Sequence, residues 1–355
     1  MNSATMRAFV MERIGEVGWA EKPVPEAGPG DAVVRTTAAL VCTSDAHTVH
    51  GAIGEREDLT LGHEAVGVVE EVGAGVEAVQ PDDRVVVGAI TPCFRCDNCQ
   101  RGYTSQCGEA LGGWKFANVK DGVFAEYFHV NAADANLAVI PSSISDEEAA
   151  YCCDMLSTGF AGAEKGDIPI GGTVAVFAQG PVGLMATAGA RLQGAGLVIA
   201  VESVPKRQEL AREYGAHEVV DFTEVDPVEA ILELTDGRGV DTAIEALGSQ
   251  KTFEGCVKAT RPGGTISNIG YHGEGEYVKV PREEWGVGMS DKTIRTTLCP
   301  GGSVKMERLL RVIDRGLVDP TPMTTHRFDF GELGRAFELM ETKEEGIIKP
   351  LIRFE

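Results

Sequence analysis

Four closely spaced cysteines constrain the fold of this chain more than any other feature. Cys93, Cys96, Cys99 and Cys107 follow the spacing C-x2-C-x2-C-x7-C, which can close a tetrahedral shell of thiolates around zinc. Disulfides are the alternative, but cysteines separated by two residues crowd each other, and pairing all four locally would strain the bonds. We therefore predict a structural zinc site here. Because such a shell leaves no open position, any catalysis must take place elsewhere.

Length and composition indicate a folded protein with two domains. A chain of 355 residues, 43% of them hydrophobic, can bury two cores. No run approaches the roughly 18 apolar residues of a membrane span. The N-terminal stretch also lacks the basic and apolar blocks of a signal peptide. The cytoplasm is therefore the expected compartment, and it disfavours a disulfide framework.

The charge balance is strongly acidic. Aspartate and glutamate number 54 against 32 basic residues, which gives a formal net charge of −22. Such a surface repels nucleic acid and anionic membranes, so we expect neither as a partner. Only 12 of the 32 basic residues are lysine. An acidic, lysine-poor surface resembles those of proteins from salt-loving organisms, and we hypothesise that this chain is adapted to high salt.

The order of the candidate elements indicates a β domain split around an α/β domain. Short apolar runs separated by Gly, Pro and Asp turns make the first part β-rich and suited to a barrel-like fold. From Thr158 to Leu298, strands such as TVAVFA and LVIAVE alternate with helical stretches, which is typical of a doubly wound parallel sheet. We predict an α/β protein with a β-rich domain at 1–157 and 299–355 and a dinucleotide-binding domain at 158–298.

A glycine-containing turn follows the first strand of the α/β domain. Gly180, Pro181, Val182 and Gly183 lie where strand TVAVFA passes into a helix, so backbone N–H groups and the helix N-terminus can hold a pyrophosphate. Gly180 permits close approach to the phosphates, and Gly183 lets the helix pack on the strand. Ala178 replaces the first glycine of the usual pattern. The strand that follows the helix, and the acidic residue at its end, still indicate a dinucleotide site.

The acid after the next strand bears on the choice of cofactor. Glu202 ends LVIAVE, near the position expected for a carboxylate that binds the adenosine ribose and repels a 2′-phosphate. Ser203 and Val204 follow, and neither offers a cation for that phosphate. We therefore expect NAD to be preferred over NADP. Arg207 lies near the start of the next helical stretch, so a contact between its guanidinium and the 2′-phosphate of NADP remains the alternative.

Metal-binding residue types occur at two places in the β-rich part. Cys42 follows the apolar stretch AALV, and Gly62, His63 and Glu64 precede the apolar stretch AVGVVEEVG. A thiolate, an imidazole and a carboxylate are zinc ligands, and three protein ligands with an open position make a catalytic site. Each residue alone is weak evidence, since a single Cys or His more often packs in the core or lies at the surface.

Several segments together resemble one family. LGHEAVGVVEEVG, CFRCDNCQRGYTSQC, DMLSTG and the glycine turn occur in the order found in zinc-dependent medium-chain alcohol dehydrogenases, and the resemblance covers essentially the whole chain. CTSDAHTV, LGGWKFANVKDGVF, ISNIGYHG and EEWGVGMSDKTI are most similar to the microbial secondary-alcohol (isopropanol-type) branch. The resemblance implies a GroES-like catalytic domain, a Rossmann cofactor domain, and both a catalytic and a structural zinc in each chain.

The resemblance also implies a ligand set for the catalytic zinc. Carried over by motif, Cys42, His63 and Asp154 are the ligands, and Glu64 is a fourth, exchangeable one. Asp154 stands where many relatives have cysteine. Its spacing to the following Ser-Thr-Gly favours it over the two cysteines directly before it, which we interpret as core residues.

Roles in catalysis follow from the same resemblance. Ser44 is expected to accept the hydroxyl proton of the alcohol, and His47 to pass it to solvent. Hydride then moves from the carbinol carbon to the nicotinamide, while the protein positions the partners. The reverse reaction reduces a ketone or an aldehyde.

Further residues match family positions around the substrate and the cofactor. Ile90, Trp114 and Leu298 match apolar positions of the substrate pocket, with ordinary core packing as the alternative. Tyr271 and Lys349 match positions near the cofactor. A small apolar pocket would favour short secondary alcohols, with discrimination of roughly 1–3 kcal/mol per methylene.

Other functions remain open from the sequence. A polyol or formaldehyde dehydrogenase of the same superfamily would differ mainly in pocket shape. A dinucleotide-binding protein without catalysis is much less favoured, because it needs no open metal site, although fold alone never proves function. The resemblance implies a homotetramer or a homodimer, and a small alcohol or ketone as the partner molecule.

Overall fold

A computed structural model describes residues 4–107 and 120–354 of the chain. The chain divides into two compact units. One comprises Met1–Ser157 with Cys299–Glu355, and the other comprises Thr158–Leu298. In the part of the chain that the structure describes, no helix has the length and apolar character needed to cross a membrane.

The elements are numbered in chain order. The strands are β1 Thr5–Arg13, β2 Glu16–Pro23, β3 Ala32–Leu40, β4 Leu59–Thr60, β5 Ala65–Val72, β6 Arg84–Val87, β7 Tyr127–Val130, β8 Leu137–Val139, β9 Thr173–Phe177, β10 Leu197–Val201, β11 Glu218–Val220, β12 Val240–Glu245, β13 Thr260–Asn268, β14 Thr293–Thr296, β15 Thr324–Asp329 and β16 Lys349–Arg353. The helices are α1 Thr43–Val49, α2 Asp97–Gln100, α3 Ala133–Asn136, α4 Asp146–Ala150, α5 Ser157–Lys165, α6 Pro181–Leu192, α7 Pro205–Glu213, α8 Pro227–Leu234, α9 Gln250–Ala259, α10 Ser303–Asp314 and α11 Leu333–Thr342.

The first unit is built from two sheets. A small antiparallel sheet has the order β2-β1-β4, and a larger mixed sheet has the order β15-β16-β3-β5-β6-β8, with β7 also pairing with β3. Strand β3 lies at the centre of the larger sheet, with β16 antiparallel on one side and β5 antiparallel on the other. Its apolar side chains, such as Val34 and Ala39, join a core that includes Phe124 and Phe337.

The second unit is a parallel sheet covered by helices. The order β11-β10-β9-β12-β13-β14 places the first strand, β9, between β10 and β12, and every pairing is parallel. Strands β9 and β10 read as nearly continuous apolar runs because they are buried on both faces. The chain reverses direction across the sheet between β9 and β12, the kind of switch point where α/β sheets bind ligands. The predicted α/β fold class is confirmed.

Candidate functional site

The four-cysteine segment forms one sulfur cluster. The Sγ atoms of Cys93, Cys96, Cys99 and Cys107 all lie within 4.8 Å of one another. Cys96 Sγ and Cys107 Sγ are 4.0 Å apart, well beyond the roughly 2.05 Å of a disulfide. The nine cysteines all lie within residues 4–107 and 120–354, and none of them forms a disulfide. The geometry therefore leaves the four sulfurs available as ligands of one ion.

Backbone groups of the same segment point at these sulfurs. The N–H of Cys93 donates to Cys107 Sγ at 3.3 Å, and the N–H of Cys96 donates to Cys93 Sγ at 3.3 Å. Such bonds favour the thiolate form that a metal requires. Burial raises the pKa of the Cys99 thiol, so the cluster needs a cation to ionise fully near neutral pH. A tetrahedral zinc shell fits this donor set.

A second cluster of donor atoms brings together residues that are distant in sequence. Cys42, His63, Glu64 and Asp154 each contribute one ligand atom, and these atoms all lie within 4.8 Å of one another. Cys42 directly precedes helix α1, and His63 and Glu64 lie between β4 and β5. Asp154 lies in a single π-helical turn, Cys152–Leu156. Such turns are rare and frequently occur at functional sites.

Backbone pairing at the end of β3 explains why these residues meet. The N–H of Leu40 donates to Glu64 O at 3.0 Å, and the N–H of Val41 donates to Pro350 O at 3.3 Å. Cys42 is the next residue, so its side chain emerges between the loop that carries Glu64 and the start of β16. The cluster is therefore positioned by main-chain hydrogen bonds of a central strand.

A glycine before His63 permits close packing. Gly62 has φ +88°, and a Cβ placed on it would lie 2.4 Å from the ring of Phe124. Any other residue would strain the backbone and displace a fully buried aromatic side chain. The sequence Gly62-His63 therefore reflects the tight approach of this loop to the core.

Asp45 orients the imidazole of His63. His63 Nδ1 lies 3.0 Å from Asp45 Oδ1, so the ring donates through Nδ1 and leaves Nε2 as the ligand atom. Nε2 lies 3.6 Å from Asp154 Oδ2. Burial lowers the pKa of His63, but the charge of Asp45 and the hydrogen bonds that the ring donates to Asp154 and Asp45 outweigh burial and raise the pKa well above its usual value. This excess of negative charge around the ring is what a bound cation would satisfy.

Glu64 forms a fully buried ion pair that the sequence did not predict. Lys349 Nζ donates to Glu64 Oε1 at 2.6 Å, and both side chains have 0% exposure. Glu64 Oε2 is buried and has no hydrogen-bond partner among the described residues. Burial raises the pKa of Glu64, although Lys349 opposes the shift. The structure places the ammonium of Lys349 against this carboxylate. The expected position of Lys349 near the cofactor stays a prediction.

Ser44 and His47 lie on helix α1 beside the second cluster. Ser44 is exposed, and its Oγ lies 3.3 Å from His63 Nε2. His47 follows three residues later on the same helix, hence on the same face. Partial burial and the nearby Lys343 ammonium lower the pKa of His47. A neutral imidazole of this kind can accept a proton close to neutral pH.

The glycine turn of the second unit has the geometry of a phosphate-binding turn. Ala178 adopts φ +74°, the left-handed conformation that a glycine would take at that position. Gly180 caps helix α6, whose first residue is Pro181, and a Cβ on Gly180 would meet nothing within 4 Å. A Cβ on Gly183 would lie 2.0 Å from Ala178 O, so Gly183 is required for the turn to close. Val182 lies in the first turn of the helix.

Glu202 is engaged by the backbone around it. Its Oε2 accepts the N–H of Gln179 at 3.0 Å, and its Oε1 accepts those of Ser203 at 2.8 Å and Val204 at 3.0 Å. Arg207 Nη1 lies 3.8 Å from Glu202 Oε2, and Arg207 Nε is buried without a partner among the described residues. The carboxylate therefore organises the turn, and a cation lies beside it.

The predicted pocket residues fall in different environments. Ile90 is buried in a small apolar cluster with Ala89 and Cys299. Leu298 and Tyr271 are exposed, at 40% and 56%. Trp114 lies outside the described residues. Their assignment to substrate or cofactor contacts stays a prediction.

Comparison with known proteins identifies the family. A family model described as alcohol dehydrogenase GroES-like domain matches residues 28–142, and one described as zinc-binding dehydrogenase matches residues 181–315. An NADP-dependent isopropanol dehydrogenase of Thermoanaerobacter brockii is 53% identical over 98% of this chain and 99% of its own length. This chain belongs to the zinc-type alcohol dehydrogenases. The predicted family, its GroES-like and Rossmann-like domains, and the predicted secondary-alcohol branch are confirmed.

Further relatives agree with this assignment. NADP-dependent isopropanol dehydrogenases of Entamoeba histolytica and Clostridium beijerinckii are 49% and 46% identical, each over 98% of this chain, and cover 96% and 99% of their own lengths. Among solved structures, alcohol dehydrogenase TADH from Thermus sp. ATN1 superposes with a TM-score of 0.88 at 33% identity, over 99% of this chain and 100% of that one.

These relatives overturn the expected preference for NAD. All three isopropanol dehydrogenases are NADP-dependent, so the inference from Glu202 was wrong. That inference assumed that the carboxylate oxygens of Glu202 are available to the hydroxyls of the adenosine ribose. In the structure both oxygens accept backbone N–H groups, and Arg207 lies 3.8 Å away. Residue type at this position did not reveal that environment.

We expect the two metal clusters to be separable by mutation. Cys107→Ser should remove one zinc per chain and lower the melting temperature, because the closed shell holds its segment together. Cys42→Ser should remove the other zinc with a smaller thermal effect, because strand pairing already fixes that site. Metal analysis with differential scanning calorimetry measures both. Equal zinc content in Cys107→Ser and wild type would contradict the structural zinc.

Proposed function

We propose that this protein is a zinc-dependent secondary-alcohol dehydrogenase that uses NADP and interconverts short secondary alcohols and ketones. The observation that carries the proposal is the convergence of Cys42, His63, Glu64 and Asp154 within 4.8 Å. Its relatives named as isopropanol dehydrogenases support the substrate class. The dinucleotide turn at Gly180–Gly183 supplies the second requirement, a place for the cofactor.

The residues of the second cluster fit a catalytic zinc ion. A thiol, an imidazole whose Nδ1 is bonded to Asp45 so that Nε2 faces the other donors, and carboxylates are zinc donors. The buried Oε2 of Glu64 has no hydrogen-bond partner among the described residues, so this carboxylate has a lone pair left for a cation. Cys42, His63 and Asp154 would hold the ion, with Glu64 as an exchangeable fourth ligand. When bound, zinc supplies Lewis acidity that polarises the oxygen of the alcohol or ketone.

Ser44 and His47 provide a route for the proton. The Ser44 hydroxyl is exposed and lies 3.3 Å from His63 Nε2, hence at the edge of the ligand cluster. We assign it the acceptance of the alcohol proton in oxidation and its donation in reduction. His47, with its lowered pKa, would carry the proton onward to solvent. NADP supplies the hydride chemistry.

Arg207 supports the choice of NADP. It is the cation beside the strand-end acid, and its buried Nε lacks a partner among the described residues. A guanidinium suits a 2′-phosphate because it offers several donors in a planar fork. The three N–H groups on Glu202 offset part of that carboxylate's repulsion. We therefore assign the 2′-phosphate contact to Arg207.

The specific alcohol depends on apolar residues around the site. We propose Ile90, Trp114 and Leu298 as lining residues of a pocket that favours short secondary alcohols. A polyol would need several polar partners, and the one such group on these three side chains is the indole N–H of Trp114. Comparing kcat/KM for 2-propanol with the values for a primary alcohol, a polyol and formaldehyde would distinguish a secondary-alcohol dehydrogenase from a polyol or formaldehyde dehydrogenase.

We further propose a homodimer or homotetramer in the cytoplasm. An exposed apolar stretch, with Tyr277 at 71%, Val287 at 52% and Met289 at 80% exposure, lies between β13 and the edge strand β14. Patches of this kind mark protein interfaces. Light scattering of the purified protein measures the assembly directly.

The cytoplasmic location is supported by the cysteines. Nine cysteines, none in a disulfide, suit a reducing compartment.

Removing the Ser44 hydroxyl should abolish most activity. Ser44→Ala should lower kcat for 2-propanol oxidation by about 100-fold or more, the usual contribution of general acid–base catalysis, with both zinc ions retained. Absorbance at 340 nm measures turnover, and metal analysis measures zinc. Ser44→Thr keeps a hydroxyl and is the control. Full turnover by Ser44→Ala would contradict the proton role, and no turnover by wild type with any tested alcohol would contradict the proposed function.

Removing Arg207 should affect NADP selectively. Arg207→Ala should raise KM for NADP by about tenfold or more, because a charge-assisted hydrogen bond to phosphate is lost, and leave KM for NAD nearly unchanged. Arg212→Ala, on the exposed side of the same helix α7, is the matched control. A wild-type enzyme with higher kcat/KM for NAD than for NADP would contradict the cofactor assignment.

The acidic surface leads us to propose adaptation to high salt. At a net charge of −22, self-repulsion destabilises the compact state in dilute buffer, and salt screens it. Melting temperature and turnover should both rise as KCl is added. An uncharged osmolyte at equal osmolality is the control. Maximal stability in dilute buffer would contradict the adaptation.

A further inference from the structure

A carboxylate of the second unit is buried at the end of a central strand. Glu245 is the last residue of strand β12, and its side chain has 0% exposure. Its Oε1 accepts the N–H of Leu247 at 3.1 Å and that of Gly248 at 2.8 Å. Oε1 also accepts the hydroxyl of Thr252 at 2.6 Å, and Oε2 accepts the N–H of Gly248 at 3.0 Å. The loop 246–249 is therefore folded around this carboxylate.

The same side chain faces the loop that follows the next strand, β13. His272 Nε2 lies 3.6 Å from Glu245 Oε2 and 2.8 Å from Asn268 Oδ1. Because Asn268 Nδ2 donates to a backbone carbonyl two residues later, its Oδ1 is the acceptor and His272 Nε2 carries a proton. The His272 ring also packs edge-on against Phe253 of helix α9, with 5.9 Å between the ring centroids. His272 thus ties the loop 268–272 both to the carboxylate and to helix α9.

Two glycines show how closely these loops approach each other. A Cβ on Gly248, which has φ +91°, would lie 2.1 Å from Tyr271 O. A Cβ on Gly270 would lie 2.2 Å from Glu245 Oε2 and 2.2 Å from the backbone N of Gly248. A side chain at either position would force the loops apart. The carboxylate of Glu245 therefore lies in close contact with both loops.

The loop 246–249 begins directly beside the phosphate-binding turn. The N–H of Ala246 donates to Phe177 O at 3.1 Å, at the end of strand β9. A Cβ on Gly183, which belongs to the turn, would lie 3.5 Å from Ala246 Cβ, an ordinary van der Waals distance. The loops held by Glu245 therefore continue the carboxyl edge of the sheet on the β12 side of that turn.

Strand order decides which part of a dinucleotide would meet these loops. Strand β9 lies between β10 and β12, and dinucleotides bind across the carboxyl edge at this kind of switch point. Arg207, to which we assign the 2′-phosphate on the adenosine side, follows β10. The nicotinamide and its ribose are then left for the ends of β12 and β13, where Glu245 holds the two loops.

We propose that Glu245 is a positioning residue for the cofactor, which holds the loops 246–249 and 268–272 in the shape that receives the nicotinamide half of NADP. This inference rests on the proposed function. Glu245 acts through the backbone of the two loops rather than by touching the nicotinamide. The second loop includes Tyr271, which is exposed and for which the sequence predicts a cofactor contact.

The physical reason is the number of hydrogen bonds that a carboxylate can accept. The two oxygens of Glu245 accept two N–H groups and one hydroxyl in a buried setting. Hydrogen bonds to a charged acceptor are roughly twice as strong as neutral ones. A glutamine has the same shape but one acceptor oxygen, and its NH2 group would face either the N–H of Gly248 or the hydroxyl of Thr252. The loops would then lose the group that joins them, with little change in volume.

Binding of the whole cofactor and of its adenosine half separates this role from a general effect on the fold. NADPH is titrated by its fluorescence, and adenosine 2′,5′-bisphosphate, which lacks the nicotinamide half, is titrated by calorimetry. Zinc-loaded wild type is compared with Glu245→Gln, His272→Phe and Asp241→Asn. Asp241 is the matched control because it lies near the opposite end of the same strand. There it accepts the N–H of Thr173 and the guanidinium of Arg261, each at 2.7 Å.

The expected results are specific to the nicotinamide half. Glu245→Gln should raise the Kd for NADPH by about tenfold or more, because buried charge-assisted hydrogen bonds are lost. The same variant should bind adenosine 2′,5′-bisphosphate within about twofold of wild type, since the turn and helix α7 are unchanged. His272→Phe keeps a ring against Phe253 and loses the Nε2 donor, so it should raise the Kd for NADPH by about threefold or more. Asp241→Asn should lower the melting temperature and leave both Kd values near those of wild type.

Each contrary outcome has a distinct meaning. Glu245→Gln with the wild-type Kd for NADPH overturns the inference and leaves the proposed function intact. Equal weakening of both ligands in this variant, or the same loss of NADPH binding in Asp241→Asn, overturns it as well, because either indicates a general loss of the sheet. If Glu245→Gln does not fold, His272→Phe decides, and a wild-type Kd for NADPH in that variant overturns the inference. If wild type binds neither ligand, the proposed function and this inference both fail.

Discussion

The metal cluster depends on the hydrogen bonds that flank the end of strand β3. Leu40 is bonded to Glu64 on one side, and Val41 is bonded to Pro350 on the other. These two main-chain bonds bring three remote stretches to one point before any side chain is considered. The strands also fix the direction in which the neighbouring side chains point. The donor atoms of these side chains are therefore close together without an ion. Donor atoms arranged in this way would lose little conformational entropy on binding a metal ion.

The same arrangement concentrates charge where water is scarce. Asp45, Glu64 and Lys349 are all buried. Asp45 is bonded to the imidazole of His63, and Glu64 and Lys349 are bonded to each other. Polar groups in such a network are costly unless every one is satisfied. Glu64 Oε2 is the exception in this network, since it is buried and has no hydrogen-bond partner among the described residues.

Local signals made part of this predictable from the sequence. The cysteine spacing and the glycine turn each fall within a short stretch, so chain geometry alone brings their atoms together. Asp154 could be placed because the resemblance supplied its register. Lys349 could not be assigned to Glu64, since 285 residues separate them and strand order decides their contact. The prediction of NAD from Glu202 was wrong for another reason. A glutamate at a strand end can accept hydrogen bonds from ribose hydroxyls or from backbone N–H groups, and its residue type does not distinguish the two.

The split of the first unit around Thr158–Leu298 sets an order of assembly. The second unit is contiguous, so its sheet can form on the ribosome as soon as its own residues have emerged. The first unit must wait for β16, which pairs with the central strand β3. Until then the anionic ligands from the early part of the chain are without Lys349. A cation that bound these ligands before that strand docks would meet a more negative site than the finished one, because the ammonium of Lys349 would not yet lie beside Glu64.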